Sequence, residues 1–219
     1  SDLEFGRGCE LLYVANANSD SVTVIDVARR AVVGEALVRP ASELPFGSAP
    51  NALALSPDGH RLYVANGGNN AVAVLNLDRR TEPRVEGFIP AGWYPGGLFV
   101  DETHLYVANV KGIGSRHPDP KKKGWNSHQH RGSVTRVAIP TPAQLTAYTR
   151  QVSADARVPE ILRARERSNQ ARHPAPVPRR LGDPSVIEHV VYVIKENRTY
   201  DQVFGALPQG NGDPSLCVF

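Results

Sequence analysis

The chain has 219 residues, 41% of them hydrophobic and 21% charged, with 25 Lys and Arg set against 22 Asp and Glu. At about 150 residues per domain that is more than one domain and fewer than two, and the balance excludes a disordered or collagen-like chain. No apolar run approaches the ~20 residues of a membrane helix, since the longest spans only Val190–Ile194. The start of the chain lacks the basic, apolar and small-residue succession of a signal peptide. Cys9 and Cys217 stand near opposite ends and form neither a disulfide framework nor a metal motif. Methionine is absent altogether, so the chain is expected to be processed or to be a piece of a longer one. A net charge of +3 is too mild to indicate nucleic acid, and no nucleic-acid partner is expected. The basic excess is uneven: Lys111 to Arg131 holds six Lys or Arg against one acid, and Thr141 to Ser185 holds eight Arg against four acids.

In chain order, the first feature is a repeat. Leu12-Tyr13-Val14-Ala15-Asn16 returns as Leu62-Tyr63-Val64-Ala65-Asn66 and as Leu105-Tyr106-Val107-Ala108-Asn109, the tyrosines 50 and then 43 residues apart. An alternating segment follows each copy, at Ser21 to Val27, Ala71 to Leu77 and Ser133 to Ile139. The best-defined unit begins at Asn51. Its expected strands are Ala52–Leu55, Arg61–Ala65, Ala71–Leu77 and Arg84–Ile89. Ser56-Pro57-Asp58-Gly59 and Gly67-Gly68-Asn69-Asn70 supply turn chemistry between them. Four short strands in about 40–45 residues is the size of a propeller blade. The tyrosines are expected to pack between blades, and Asn16, Asn66 and Asn109 to form turns.

These repeats resemble the YVTN family of β-propeller repeats over roughly residues 10–140. The chain holds the latter part of one blade, one complete blade and most of a third, whereas propellers close with four to eight. Upstream blades are therefore expected beyond this chain, and the third blade shows no fourth strand after Ile139. Val110 to Gly132 interrupts that blade with Lys121-Lys122-Lys123, Trp125, His117, His128 and His130. It reads as a solvated loop, as a loop docking on a second domain or an anion, or as a metal site on His128 and His130.

Beyond Pro140 the period changes. Thr141 as N-cap, Pro142 at the first helical position and Gln144 at the third predict a helix over Pro142–Val152. A second is expected from Pro159 to about Gln170, and His173 to Arg180 reads as an extended spacer. Residues 1–140, 141–184 and 185–219 are thus expected as partial propeller, linker and the start of another domain. Val186 to Ile194 is nearly all apolar and suits a central strand buried on both faces of an α/β sheet. Residues just past such a strand line the ligand crevice. Glu196 and Asn197 stand there as a carboxylate and an amide oxygen, suited to a divalent cation or equally to capping and ion pairing.

Ile187 to Gly205, IEHVVYVIKENRTYDQVFG, resembles the opening motif of the phosphoesterase family in the alkaline-phosphatase superfamily. The resemblance implies that Glu196 and Asn197 bind the catalytic divalent metal, and that a Ser or Thr nucleophile lies downstream of Phe219. The substrate would be a phosphate ester, either a small molecule or a phospholipid. Arg198 and Asp201 read as scaffolding, and Gly210 to Pro214 as a turn. The order of propeller, linker and motif resembles bifunctional bacterial proteins that fuse a YVTN-type propeller to an alkaline-phosphatase-like domain, periplasmic or secreted. The expected fold is mostly β: a partial propeller, a helical and Pro-rich linker, and the first strand and loop of an α/β domain. The alternative is a non-catalytic propeller module that binds a protein partner and carries a degenerate phosphoesterase-like segment.

Overall fold

The computed structural model describes residues 2–114, 131–167, 173–178, 183–193, 200–210 and 212–217. They fall in two compact units, Ser1–Glu166 and Arg167–Phe219. The first is mostly β. Strands β1 (Leu3–Phe5), β2 (Leu11–Asn16), β3 (Ser21–Asp26) and β4 (Ala31–Leu37) form an antiparallel sheet in that order. Strands β5 (Pro50–Leu55), β6 (Arg61–Asn66), β7 (Ala71–Asn76) and β8 (Arg84–Pro90) form a second sheet of the same order. Strands β9 (Trp93–Val100), β10 (His104–Gly114) and β11 (Arg131–Ala138) form a third, with β10 central.

The second sheet has the four expected strands, and the turn at Ser56–Gly59 closes as its residues require. Gly59 takes φ 79° and donates its N–H to the Ser56 carbonyl at 2.8 Å. The first sheet corrects the expectation that only the latter part of its blade is present. Leu3, Glu4 and Phe5 pair with Val14, Tyr13 and Leu12, which completes four strands. A three-residue strand has too little alternation to be legible by period, and only its partner identifies it. The third sheet has three strands among the described residues, because the chain leaves β11 through Pro140 and Pro142 into a helix.

One core lies between the first two sheets, where Tyr13, Val22 and Val24 meet Leu62, Leu75 and Phe88. Another joins the second and third sheets, where Tyr63, Val72 and Val74 meet Val100, Leu105 and Val107. Tyr13 and Tyr63 thus each face the next sheet. Tyr13 and Tyr63 are buried, and Tyr13 donates its hydroxyl to the Arg80 carbonyl at 3.3 Å. Tyr106 is half-buried and packs against Phe99 and His104, with ring centroids 5.9 and 6.2 Å away.

Burial pushes the hydroxyl pKa of Tyr13 and Tyr63 above the ordinary 10.0, against the opposing pull of Arg80 and Arg61. The folded state therefore favours the neutral phenols. Their contribution is intact below the unfolded value of about 10 and is lost as pH rises through the raised folded values. Unfolding midpoints in denaturant are expected to fall above about pH 10. The Tyr13→Phe/Tyr63→Phe double variant should flatten that fall; an equally steep decline in it would refute the assignment.

Helix α1 (Pro142–Asp155) begins with the expected capping box: Thr141 Oγ1 accepts the Gln144 N–H at 3.4 Å and Gln144 Oε1 accepts the Thr141 N–H at 2.9 Å. The helix is packed on the sheets. Thr149 Oγ1 accepts the Phe88 N–H of β8 at 2.9 Å. Leu145 enters the core of the second and third sheets, and Val152 that of the first and second. Spacings of four and seven residues bring these side chains to one helical face. The face covers an outer sheet edge that would otherwise expose unpaired backbone groups. Helix α2 (Val158–Arg167) follows, beginning one residue before Pro159.

In the second unit, α3 (Tyr200–Phe204) and a short 3-10 turn at Pro214–Leu216 are the regular elements among the described residues. The central strand expected at Val186–Ile194 is not formed over Val186–Val193, and Ile194 lies outside the described residues. Val190, Val191, Tyr192 and Val193 are each at least 80% exposed. A strand buried on both faces needs neighbours in a sheet, and the described residues of this unit contain none. No helix among the described residues is long and apolar enough to cross a membrane.

Candidate functional site

Two of the repeat's asparagines open turns, Asn16 O accepting the Ser19 N–H at 3.2 Å and Asn66 capping the Gly67–Asn69 turn, and the side chains of all three bond to other strands or sheets. Asn16 Nδ2 donates to Ser21 Oγ at 3.2 Å and Thr23 Oγ1 at 2.7 Å, on the neighbouring strand. Asn109 repeats this with Ser133 Oγ at 3.2 Å and Thr135 Oγ1 at 2.9 Å. In the second sheet the matching residues are Ala71 and Ala73, which have no hydroxyl. Asn66 instead donates to the Val38 carbonyl of the first sheet at 2.6 Å. The Asn/hydroxyl pairing was open to sequence inspection, because Ser-x-Thr opens the alternating segment after two of the three copies.

A second device escaped the sequence altogether. Asp20 and Asn70 each precede the third strand of their sheet with left-handed backbones, φ 55° and 52°. The main-chain carbonyl of each accepts an N–H from the end of the fourth strand, Val38 to Asp20 and Ala91 to Asn70, both at 2.9 Å. Their side chains reach the segment entering the next sheet. Asp20 accepts the Gly47 and Ala49 N–H groups at 3.0 and 3.1 Å, and Asn70 accepts the Tyr94 N–H at 2.9 Å. Ala49 and Tyr94 are themselves left-handed, φ 49° and 59°. Asp20 is fully buried, with Arg39 Nε 3.8 Å from its carboxylate. These two residues join one sheet to the next.

A cleft of about 420 Å³ lies at the seam of the second and third sheets and is lined by Arg7, Asp58, Arg61, Tyr63, Asp101 and Glu102 among others. Its charged groups are largely committed to local structure. Asp101 accepts the Thr103 and His104 N–H groups, both at 2.7 Å, and the Thr103 hydroxyl at 2.9 Å. These bonds hold its pKa down to about 2. The Ser56 hydroxyl and the His60 N–H likewise lower that of Asp58. Arg61 Nε donates to Glu86 at 3.0 Å, and Arg7 Nη1 to the Asp58 carbonyl at 3.3 Å. Carboxylates held ionised by turn bonds are poor proton donors near neutrality.

The interruption expected at Val110–Gly132 is partly strand, since β10 runs to Gly114 and β11 begins at Arg131. Lys111 Nζ stands 5.2 Å from the ring centroids of both Trp93 and Tyr94, a cation over two aromatic faces. Residues 115–130, with His117, Lys121–Lys123, Trp125, His128 and His130, lie outside the described residues.

Glu196 and Asn197, the expected metal ligands, also lie outside the described residues, as does Arg198. The structure brings together the residues after them. Asp201 Oδ1 accepts the Asp213 N–H at 2.9 Å, tying α3 to the Pro214–Leu216 turn. Asp213 caps that turn through the Ser215 N–H at 2.8 Å, and the Ser215 hydroxyl and N–H lower its pKa. Among the described residues no group of three or more His, Cys, Asp or Glu is placed to hold a metal ion.

No protein-family model and no curated protein matches the chain. Among solved structures it is similar to the hydrazine synthase of Kuenenia stuttgartiensis, at 28% identity and TM-score 0.41, over 49% of this chain and 28% of that one. A protein from Lactobacillus plantarum is similar at 25% identity and TM-score 0.45, over 50% of this chain and 34% of that one. A candidate 6-phosphogluconolactonase from Bacteroides fragilis is similar at 21% identity and TM-score 0.44, over 50% of this chain and 31% of that one. The matched region spans about a third or less of each neighbour.

Proposed function

We propose that this chain supplies propeller-type blades and the metal-binding opening of a metal-dependent phosphoesterase. Glu196 and Asn197 are two oxygen ligands of its divalent cation, and its substrate is a phosphate ester, a small molecule or a phospholipid. The observation that carries the reading is the apolar run Val186–Val193, which is largely exposed, lies outside any strand and leads in three and four residues to Glu196 and Asn197. Apolar, β-branched segments of this kind form inner strands of α/β sheets, and ligands bind past their carboxyl ends.

The donor chemistry fits a hard divalent cation: the Glu196 carboxylate brings charge and the Asn197 amide a neutral oxygen. They are two of the several donors such an ion takes. When bound, the ion would supply positive charge at a phosphoryl oxygen. A periplasmic or secreted location belongs to the same proposal.

The test is made on the native polypeptide that carries this sequence. Glu196→Ala and Asn197→Ala should each lose bound divalent metal, measured by elemental analysis. Hydrolysis of p-nitrophenyl phosphate and its diester should fall with it. Full activity with metal retained in both variants would overturn the ligand assignment. The second reading, a non-catalytic module that binds a protein partner through the blades, is favoured by the exposed apolar faces of the first and third sheets. Absence of both metal and hydrolysis in the unmodified polypeptide would select it.

A further inference from the structure

The segments that enter the second and third sheets share one backbone. Ser48-Ala49-Pro50 and Trp93-Tyr94-Pro95 take equivalent places, since Pro50 pairs with Asn66 and Pro95 with Asn109. The middle residue of each is left-handed, φ 49° at Ala49 and 59° at Tyr94. Each donates its N–H to the residue that joins the sheets, Ala49 to Asp20 and Tyr94 to Asn70. Alanine suffices in the first case, so the junction itself requires no aromatic ring. A bulky side chain in the left-handed region is rare and strained, and such residues cluster at ligand clamps.

At the second junction the rings converge on one cation. Trp93 and Tyr94 are neighbours in β9, and in a regular strand their side chains would point to opposite faces. With Tyr94 left-handed, both rings reach Lys111, whose Nζ lies 5.2 Å from each centroid, inside the ~6 Å range of a cation–π contact. Gly67 of the second sheet makes room for Tyr94, because a Cβ there would stand 3.0 Å from Cζ of the ring. Lys111 stands two residues beyond Asn109, where Gly68 stands two beyond Asn66, so the first junction has neither the rings nor the cation. Trp93 is 46% exposed, and its indole is therefore reached from solvent.

We propose that the Trp93–Tyr94 ring pair is a binding site for a quaternary ammonium group, and that Lys111 Nζ holds that place in this structure. A quaternary ammonium spreads its charge over methyl groups and gives up no N–H bonds to water on reaching the rings. A lysine ammonium is strongly hydrated and does give them up. Lys111 is half-buried on a flexible stem, which lets its head swing into water as the ligand enters. The site lies in the blade unit and does not rest on the metal-ligand role of Glu196 and Asn197.

The test titrates tetramethylammonium into the isotope-labelled 219-residue chain and follows the indole N–H resonance of Trp93, identified by its loss in Trp93→Phe. The wild type should show a saturable shift. Lys111→Ala and Lys111→Gln should each bind about threefold or more tightly than the wild type, because the competing cation is gone. Their circular dichroism should be unchanged, since Lys111 is only half-buried. A neutral solute of similar shape, tert-butanol, should shift the resonance far less at the same concentration. No saturable shift in the wild type or in either Lys111 variant overturns the proposal. An equal response to tert-butanol also overturns it, leaving the rings an apolar patch. Affinity in both Lys111 variants no higher than in the wild type overturns the place assigned to Lys111.

Discussion

Asp20→Ala is expected to destabilise the blade unit by about 3–5 kcal/mol, the usual cost of removing one partner from a buried charged cluster. The substitution leaves the Gly47 and Ala49 N–H groups without their acceptor in the segment that enters the second sheet. It also leaves the Arg39 guanidinium beside no carboxylate. Each lost hydrogen bond to the carboxylate contributes about 1.5–3 kcal/mol. For a unit of this size the melting temperature should drop by roughly 10 °C. Asp20→Asn should lose less, because Asn70 performs the same joining task in the second sheet with one amide oxygen. A melting temperature for Asp20→Ala within about 2 °C of wild type would show that these bonds contribute little.

The second large effect separates residues that share one motif. Tyr63→Ala should cost about 3–5 kcal/mol, because the side chain fills the core between the second and third sheets. Tyr106→Ala should cost less than about 1 kcal/mol, because no sheet among the described residues covers that ring. Denaturant unfolding of the two variants provides the comparison. Equal losses would mean that the tyrosine stabilises its own sheet and not the seam with the next.

Much of the fold was legible beforehand because it is local and repeated. Alternation marked the strands of the second sheet to within two residues, and Ser56–Gly59 could hardly do anything but turn. The Thr141–Gln144 box announced α1. What escaped was whatever depended on a partner distant in sequence. Strand β1 exists because Leu12–Val14 is there to pair with it. Helix α1 reads as a linker until β8 is seen beneath it, with Thr149 on the Phe88 N–H. Asp20 looks like any turn aspartate before Gly47 and Ala49 reach it from 27 and 29 residues away.

The candidate site follows the same division. Glu196 and Asn197 were singled out by residue chemistry and by the motif around them, and both stand outside the described residues. The apolar run before them reads as a buried strand on its pattern alone, whereas a strand is buried only when other strands and helices are present to bury it. Hydrophobic period and turn chemistry are properties of neighbouring residues, so the sequence by itself determined which segments become strands, which become turns and that the first unit is built of repeated sheets. Burial is a property of the space around a side chain. The tertiary structure alone decided that Tyr63 is core while Tyr106 faces outward, that Asp20 and Asn70 join the sheets, and that Val190 to Val193 remain exposed.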